Sequence, residues 1–455
     1  MATASSEPIH LPPTLRLPRI VQGIGFFAAR HAVAAALERR YGSAFTVNLP
    51  VFGHTLVISD PNLVKDLFST SRDLIGRARY TFGGVIGPGS TFALDGDAHR
   101  ERRRLLMPPF HGKRMRSYED IFEEEVMLEI ANWPEGREFE TLWPMRRITL
   151  GAILRAVFGA EGPALDELRG LLPPAVTLGS RIALLPSVVR RDVGPWSPRG
   201  RFLRYRRRID AVIDSLIADA RADPAFEERS DMLALLLQAR YENGESISDR
   251  HISDELLTFL TAGHETTASA LAWTVERLRR HPQLLSRLTD EVDAGGSELR
   301  QATIWEVLRT RPVLDGALRG TKTRIRLGEW VVPEGYTVMV SVVLAHSSEE
   351  SFPDAMSFNP DRFVGAIPDT YAWIPFGGGV YRCIGAAFAN MEMDVTVRTL
   401  LREFRFGTTV APGERRHNRG VAMVPGRHGR AVVYRRTGPA SSNAGSPPVV
   451  DHVTT

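Results

Sequence analysis

Cys383 is the only cysteine in a chain of 455 residues, and it stands in the run FGGGVYRCIG at 376–385. A lone cysteine is most often a small buried hydrophobe without chemistry. Its surroundings point elsewhere. Three successive glycines, Gly377, Gly378 and Gly379, allow backbone angles that other residues avoid, so the chain can turn tightly and approach a flat ligand. The stretch that follows, IGAAFANMEMDVTVRTLLREF, has a strong helical pattern. A thiolate at a helix N-terminus is stabilised by the helix dipole and by unpaired backbone N–H groups. Such a sulfur is either a nucleophile or a metal ligand. A nucleophile wants a neighbouring base and this loop offers none, which favours the ligand.

Three other groupings have chemical potential. LTAGHETTA (260–268) puts a glycine, a carboxylate and two threonines inside a long apolar helix, where they are poor helix formers and need a reason. The bland alternative is a kinked helix whose threonines bond their own backbone. WEVLR (305–309) places Glu306 and Arg309 three residues apart on one helix face, a spacing that alone implies only an exposed ion pair. In DGDAHRERRRLLMPPF (95–110), His99 and Arg103 share a face four residues apart, and a histidine among arginines is ordinarily solvated.

The cysteine run resembles the haem-binding loop of the cytochrome P-450 superfamily, F-x-x-G-x-R-x-C-x-G. Phe376, Gly379, Cys383 and Gly385 match, while Tyr381 replaces the pattern's arginine and Arg382 comes one place late. The other family motifs follow in order. Glu306 and Arg309 match E-x-x-R, with Arg362 of FNPDRF (358–363) as third member; Ala262, Gly263, Glu265, Thr266 and Thr267 match A/G-G-x-D/E-T-T/S. The resemblance implies that Cys383 is the axial thiolate of the iron of a non-covalent haem b. It implies that Gly263 clears space for dioxygen, that Thr266 holds a water, and that Glu265 relays protons from solvent. Glu306, Arg309 and Arg362 would form a buried network bracing the cysteine loop. His99, Arg103 and Arg319 would supply charge to the haem propionates. At the departure from the pattern, the Tyr381 hydroxyl is expected to donate to a propionate, in preference to Arg382 swinging round.

These groups must be positioned by a mostly helical chain. Periodicity predicts helices near 97–106, 116–131, 146–159, 201–221, 250–280 and 298–311. AFTVNLP and HTLVIS read as strands around a turn, and strand-like pieces return near 322–341 and 430–435. The expected fold class is mainly α with a small β region, the cytochrome P-450 fold of a helix-rich and a β-rich lobe around haem. The expected organisation is one domain over 15–436, with tails at 1–14 and 437–455 disordered by composition.

Hydrophobic content of 43% and charged content of 24% are ordinary for a globular protein. One cysteine excludes intrachain disulfides and cysteine-rich zinc or iron–sulfur sites, and fits a cytoplasmic setting. The apolar IVQGIGFFAA ends at Arg30 and His31, too short for a transmembrane anchor. The arginine runs HRERRR and RYRRR read as solvated faces, with no signature of a nucleic-acid binder beside them. With no C-x-x-C-H the haem would not be covalently held.

The resulting expectation is a monomeric haem-thiolate monooxygenase acting on a small lipophilic substrate. It would use O2 and electrons from NAD(P)H through a separate ferredoxin and ferredoxin reductase. The alternatives are a peroxygenase or isomerase on the same haem, or a non-enzymatic haem sensor. The segments 76–93 and 171–189, largely apolar, are expected to line the substrate pocket.

Overall fold

The computed structural model describes residues 1–78, 83–159, 161–183 and 194–436, the side chains of residues 113 and 114 excepted. The expected tail at 437–455 lies outside them, as do parts of the two expected pocket segments. The helix Asp249–Leu278 runs through the centre and is buried on nearly every side, its buried residues including the charged Asp254, Glu255, Glu265 and Glu276 as well as apolar ones. Its neighbours are Leu142–Phe158, Pro163–Ala183, Pro198–Ala222 and Ala386–Glu403. Leu150, Leu154, Leu172, Ile213, Leu256 and Leu260 belong to one buried apolar cluster among these helices.

A second body is built on a five-stranded sheet in the order Ala44–Leu49, Gly53–Ile58, Thr337–Ser341, Gly316–Thr321, Ile75–Gly76. Gly53–Ile58 pairs parallel with Thr337–Ser341, and the other pairings are antiparallel. Leu56, Ile58, Val338, Val340 and Ile374 form its apolar core. The described residues are 53% helical with a smaller β content, as the resemblance implies.

The helix ends follow local chemistry. Asp95 caps Gly96–Leu106, Ser197 caps Pro198–Ala222 and Ser248 caps Asp249–Leu278, each accepting from a backbone N–H. Two readings need correction. Residues 1–14 are not structureless: Thr3 and Ala4 pair with Arg326 and Ile325, Ala2 is buried, and the Met1 ammonium pairs with Asp66. Composition could not reveal this, because the partners come from more than sixty residues away. The arginine runs are not wholly solvated either. Arg102 is buried and pairs with Glu255 at 3.1 Å, while Arg206 is buried and pairs with Asp210 and Asp254.

Candidate functional site

The cysteine loop folds on itself through three short bonds: Gly377 N to Ile374 O at 3.0 Å, Arg382 N to Gly379 O at 3.1 Å, and Cys383 N to Phe376 O at 3.0 Å. Gly377 and Gly379 hold φ of 64° and 63°, a region that disfavours any side chain. A Cβ at Gly378 or Gly379 would strike the ring or carbonyl of Phe68, at 2.1 and 2.3 Å. These two glycines therefore let the loop press on Phe68, whereas sequence suggested approach to a ligand. Cys383 is reachable by a water-sized probe although protein surrounds it, as happens on the wall of an internal cleft. Burial pushes its thiol up, while the Gly385 N–H, Arg103 and Arg382 pull it back. Gly385 caps the helix Ala386–Glu403.

The central helix carries the second half of the site. From Ile252 to Arg279 every residue is buried except Thr261, Ala262, Gly263 and Thr266. Exposure confined to these four, mid-helix in the core, marks the wall of an interior cavity. The Thr266 hydroxyl donates to Ala262 O at 2.7 Å and that of Thr267 to Gly263 O at 3.1 Å. Both threonines thus bond their own backbone without a non-helical residue in the helix. A Cβ on Gly263 would meet Ile153 at 3.2 Å, so this glycine also sets the approach of the helix Leu142–Phe158. Glu265 is buried and ion-paired: Arg419 Nε stands 3.0 Å from Oε1 and Arg146 3.8 Å. Both guanidiniums lie over the Trp143 ring. Arg419 comes from the hairpin of Arg416–Arg419 and Ala422–Pro425, which sequence reading missed for want of alternation.

Glu306 and Arg309 form a bidentate pair, both contacts 2.7 Å, and Arg362 Nε reaches Glu306 at 3.3 Å. Arg309 also donates to the carbonyls of His346, Ala355 and Ser357, and Glu306 accepts from Asn359 N. His346 connects this brace to the cysteine loop. Its Nδ1 donates to Arg309 O at 3.1 Å, and its Nε2 accepts from Ile374 N at 2.9 Å, two residues before Phe376. Burial lowers its pKa to about 3, so it stays neutral, in the one tautomer these two bonds allow. No motif flagged His346.

The family model described as Cytochrome P450 matches residues 11–429. A protein named "Putative cytochrome P450 138" from Mycobacterium tuberculosis is 52% identical over 439 residues, covering 96% of this chain and 99% of that protein. The chain belongs to the cytochrome P450 family. "Putative cytochrome P450 135B1", also of Mycobacterium tuberculosis, is 38% identical over 447 residues, covering 94% of this chain and 93% of its own. Among solved structures, a retinoic-acid-bound cyanobacterial CYP120A1 superposes with a TM-score of 0.82 at 23% identity, covering 94% of this chain and all of that one. The cytochrome P450DA heme domain superposes at 0.79 with 21% identity over 95% and 99% of the two chains. These likenesses show the P450 fold. The family is one of haem monooxygenases, with the haem ligated through a cysteine thiolate.

The residues of this cytochrome P450 fit such a group. Beyond Cys383, the buried His99 leaves Nδ1 without a hydrogen-bond partner among the described residues. Arg72, Arg77 and Arg103 are felt at His99 against a single carboxylate, Asp95; with burial they lower its pKa to about 3. Such a surplus of positive charge suits two propionates. Without the haem, His99 is a neutral ring and the positive charge around it belongs to arginines.

Tyr381 does not point its hydroxyl at a free anion site. It donates to Asp95 Oδ1, which also accepts from Gly96 N at 2.8 Å, while Oδ2 of the same carboxylate faces Lys322 at 3.3 Å. Burial and Asp95 push the phenol up. The Arg77 and Arg319 guanidiniums lie 4.7 and 4.8 Å from the Tyr381 ring centroid. Arg319 is further fixed by donating to Gly378 O at 2.8 Å, and Arg77 by donating to Leu94 O and Thr91 O, both at 2.7 Å. The hydroxyl is thus held by Asp95, and the ring gathers two arginines. Arg77 was not anticipated, because it precedes the motif helix. Arg382 stays exposed.

Proposed function

We propose that this chain is a haem-thiolate monooxygenase that inserts one atom of O2 into a lipophilic organic substrate. Its electrons come from NAD(P)H through a separate ferredoxin and reductase, in the cytoplasm. The observation that carries the reading is an accessible yet enclosed Cys383 in one fold with a central helix that, between Ile252 and Arg279, is accessible only at Thr261, Ala262, Gly263 and Thr266. Haem, when bound, supplies oxygen binding and reductive O–O cleavage. Cys383 would ligate the iron. Arg77, Arg103, Arg319 and His99 would hold the propionates, while Phe376, Gly377, Gly379, Tyr381 and Gly385 shape the loop beneath.

The chain's own proton handling follows from its hydrogen bonds. The Thr266 hydroxyl has committed its proton to Ala262 O, so toward the cavity it accepts, and can hold a water or a protonated ligand. Glu265 shares its carboxylate with Arg419, so proton transfer through it proceeds beside a fixed cation. Ile86, Leu171 and Leu172, from the two apolar segments, join one buried cluster, which supports a lipophilic substrate. For the donor, Arg100 and Arg104 are exposed on the helix Gly96–Leu106 and Arg382 is exposed on the cysteine loop; Arg102 is excluded by its burial.

The test is a screen of lipophilic compounds for Soret shifts, followed by aerobic NADPH-driven turnover with a surrogate ferredoxin pair. Product carrying one atom of labelled O2 is expected. Turnover with peroxide alone, and none with NADPH, would replace this reading by a peroxygenase.

A further inference from the structure

The apolar IVQGIGFFAA segment has no part in the haem site. It opens the helix Arg19–Tyr41, long and apolar enough by length and composition to cross a membrane, yet broken by a non-helical Ala29 at φ −144°, ψ 43°. Beyond the break, Ala34 and Leu37 pack into an apolar cluster with Phe45 and Val47. Before the break Phe26 packs partly against the same cluster, and the helix is otherwise held from that one side by polar contacts. Gln22 donates to Leu15 O and Leu17 O and accepts from Asn48 N, while Arg19 donates to Leu49 O and Pro50 O. Gly23 lies so close to Pro50 that a Cβ would stand 2.6 Å from it.

The opposite side is bare. Ile20, Val21, Ile24 and Phe27 are 73%, 49%, 64% and 48% exposed, at the spacing of one helix face, and Leu17 just ahead of the helix is 50% exposed. Monomeric proteins rarely leave such a contiguous apolar stripe to water. Charge indicates what covers it. Residues 8–37 contain no aspartate or glutamate, and carry Arg16, Arg19 and Arg30. Arg30 is taken by Asp315 at 2.8 Å, but no carboxylate pairs with Arg16 or Arg19 among the described residues. An apolar face beside arginines that no carboxylate neutralises, in a stretch without acidic residues, is the pattern of a helix lying in the plane of an anionic lipid surface. The ten residues before the break span only about 15 Å of the roughly 30 Å hydrocarbon core.

We propose that the first half of this helix, Arg19–Ala28 with Leu17, docks the enzyme reversibly on an anionic bilayer surface without crossing it. Such docking would bring the protein to a phase where lipophilic compounds collect, and it stands independently of which substrate is oxidised.

The test is flotation of the full-length holoenzyme with vesicles of phosphatidylcholine alone or with 30% phosphatidylglycerol, at low and high salt. Binding is expected to the mixed vesicles, weakened by salt because exposed charges are screened. Ile24→Glu/Phe27→Glu should lower the bound fraction about tenfold or more, and Arg16→Gln/Arg19→Gln severalfold, since apolar insertion and charge each contribute. Both variants should keep the Soret spectrum and the apolar pair should keep the thermal midpoint, and the milder Ile20→Gln/Ile24→Gln serves if the first pair does not fold. No vesicle binding overturns the proposal. So does binding equal on both vesicle types, or unaffected by either double substitution. A concentration-dependent dimer in sedimentation, lost in the apolar double variant and without vesicle binding, would assign the stripe to a second copy instead.

Discussion

Tyr381 offers the sharpest quantitative test of how the loop holds haem. In Tyr381→Phe the ring stays between Arg77 and Arg319, and only the hydroxyl bond to Asp95 is lost. A hydrogen bond to a charged group contributes about 1.5–3 kcal/mol. Asp95 is partly exposed and keeps Gly96 N and Lys322, so the lower end applies. Tyr381→Leu removes the ring as well, and with it two guanidinium–ring contacts at about 0.5–2 kcal/mol each. Phenylalanine should therefore speed haem loss by no more than about tenfold, and leucine by about a hundredfold, at 1.4 kcal/mol per decade. The assay is transfer of haem to excess apomyoglobin, followed in the Soret band. Tyr381→Arg should not tighten the hold, because it sets a third guanidinium between two others beside one carboxylate. If phenylalanine and leucine release haem within a factor of two of each other, the ring does not organise the arginines and the reasoning fails.

Other expectations follow from neighbouring groups. Arg309→Leu should cost about 3–5 kcal/mol by leaving Glu306 buried and uncompensated, read as a lower thermal midpoint and lower haem content; an unchanged midpoint would remove the brace. Thr266→Ala should leave haem content intact but divert electrons to hydrogen peroxide or water, so unchanged product per NADPH would count against its role. His99 and His346, with pKa lowered to about 3, stay neutral while the unfolded chain takes up protons below about 6.5, so apoprotein stability should fall as pH drops through the window from 6.5 toward 3. His346→Gln should flatten that slope in chemical denaturation between pH 7 and 5; an unaltered slope would mean His346 titrates in the native state. Arg100→Glu/Arg104→Glu should slow reduction by an acidic ferredoxin and reduce its salt dependence, with substrate affinity unchanged, and equal rates would displace the docking face.

Much of the site was legible because its chemistry needs fixed residue types at fixed spacing. Cys383, the Glu306–Arg309–Arg362 network and the Ala262–Thr267 stretch lie where the motifs put them, and the principal helices begin within a few residues of the periodic segments. What sequence could not show came from partners distant along the chain. Asp95 and Tyr381 are 286 residues apart, and Arg419 reaches Glu265 across 154. The helix Pro163–Ala183 escaped notice because Pro173 and Pro174 sit inside it. Arg102 looked like surface charge because a basic run does not reveal which one of its members turns inward to Glu255.

The central claim is that Cys383 ligates haem iron as a thiolate. The most direct measurement is the absorption spectrum of the reduced protein under carbon monoxide. The wild type should show the long-wavelength Soret band of thiolate ligation, and Cys383→Ser, the chain's only sulfhydryl removed, should lack it. A variant that retains the band, or a wild type that never shows it, would contradict the account.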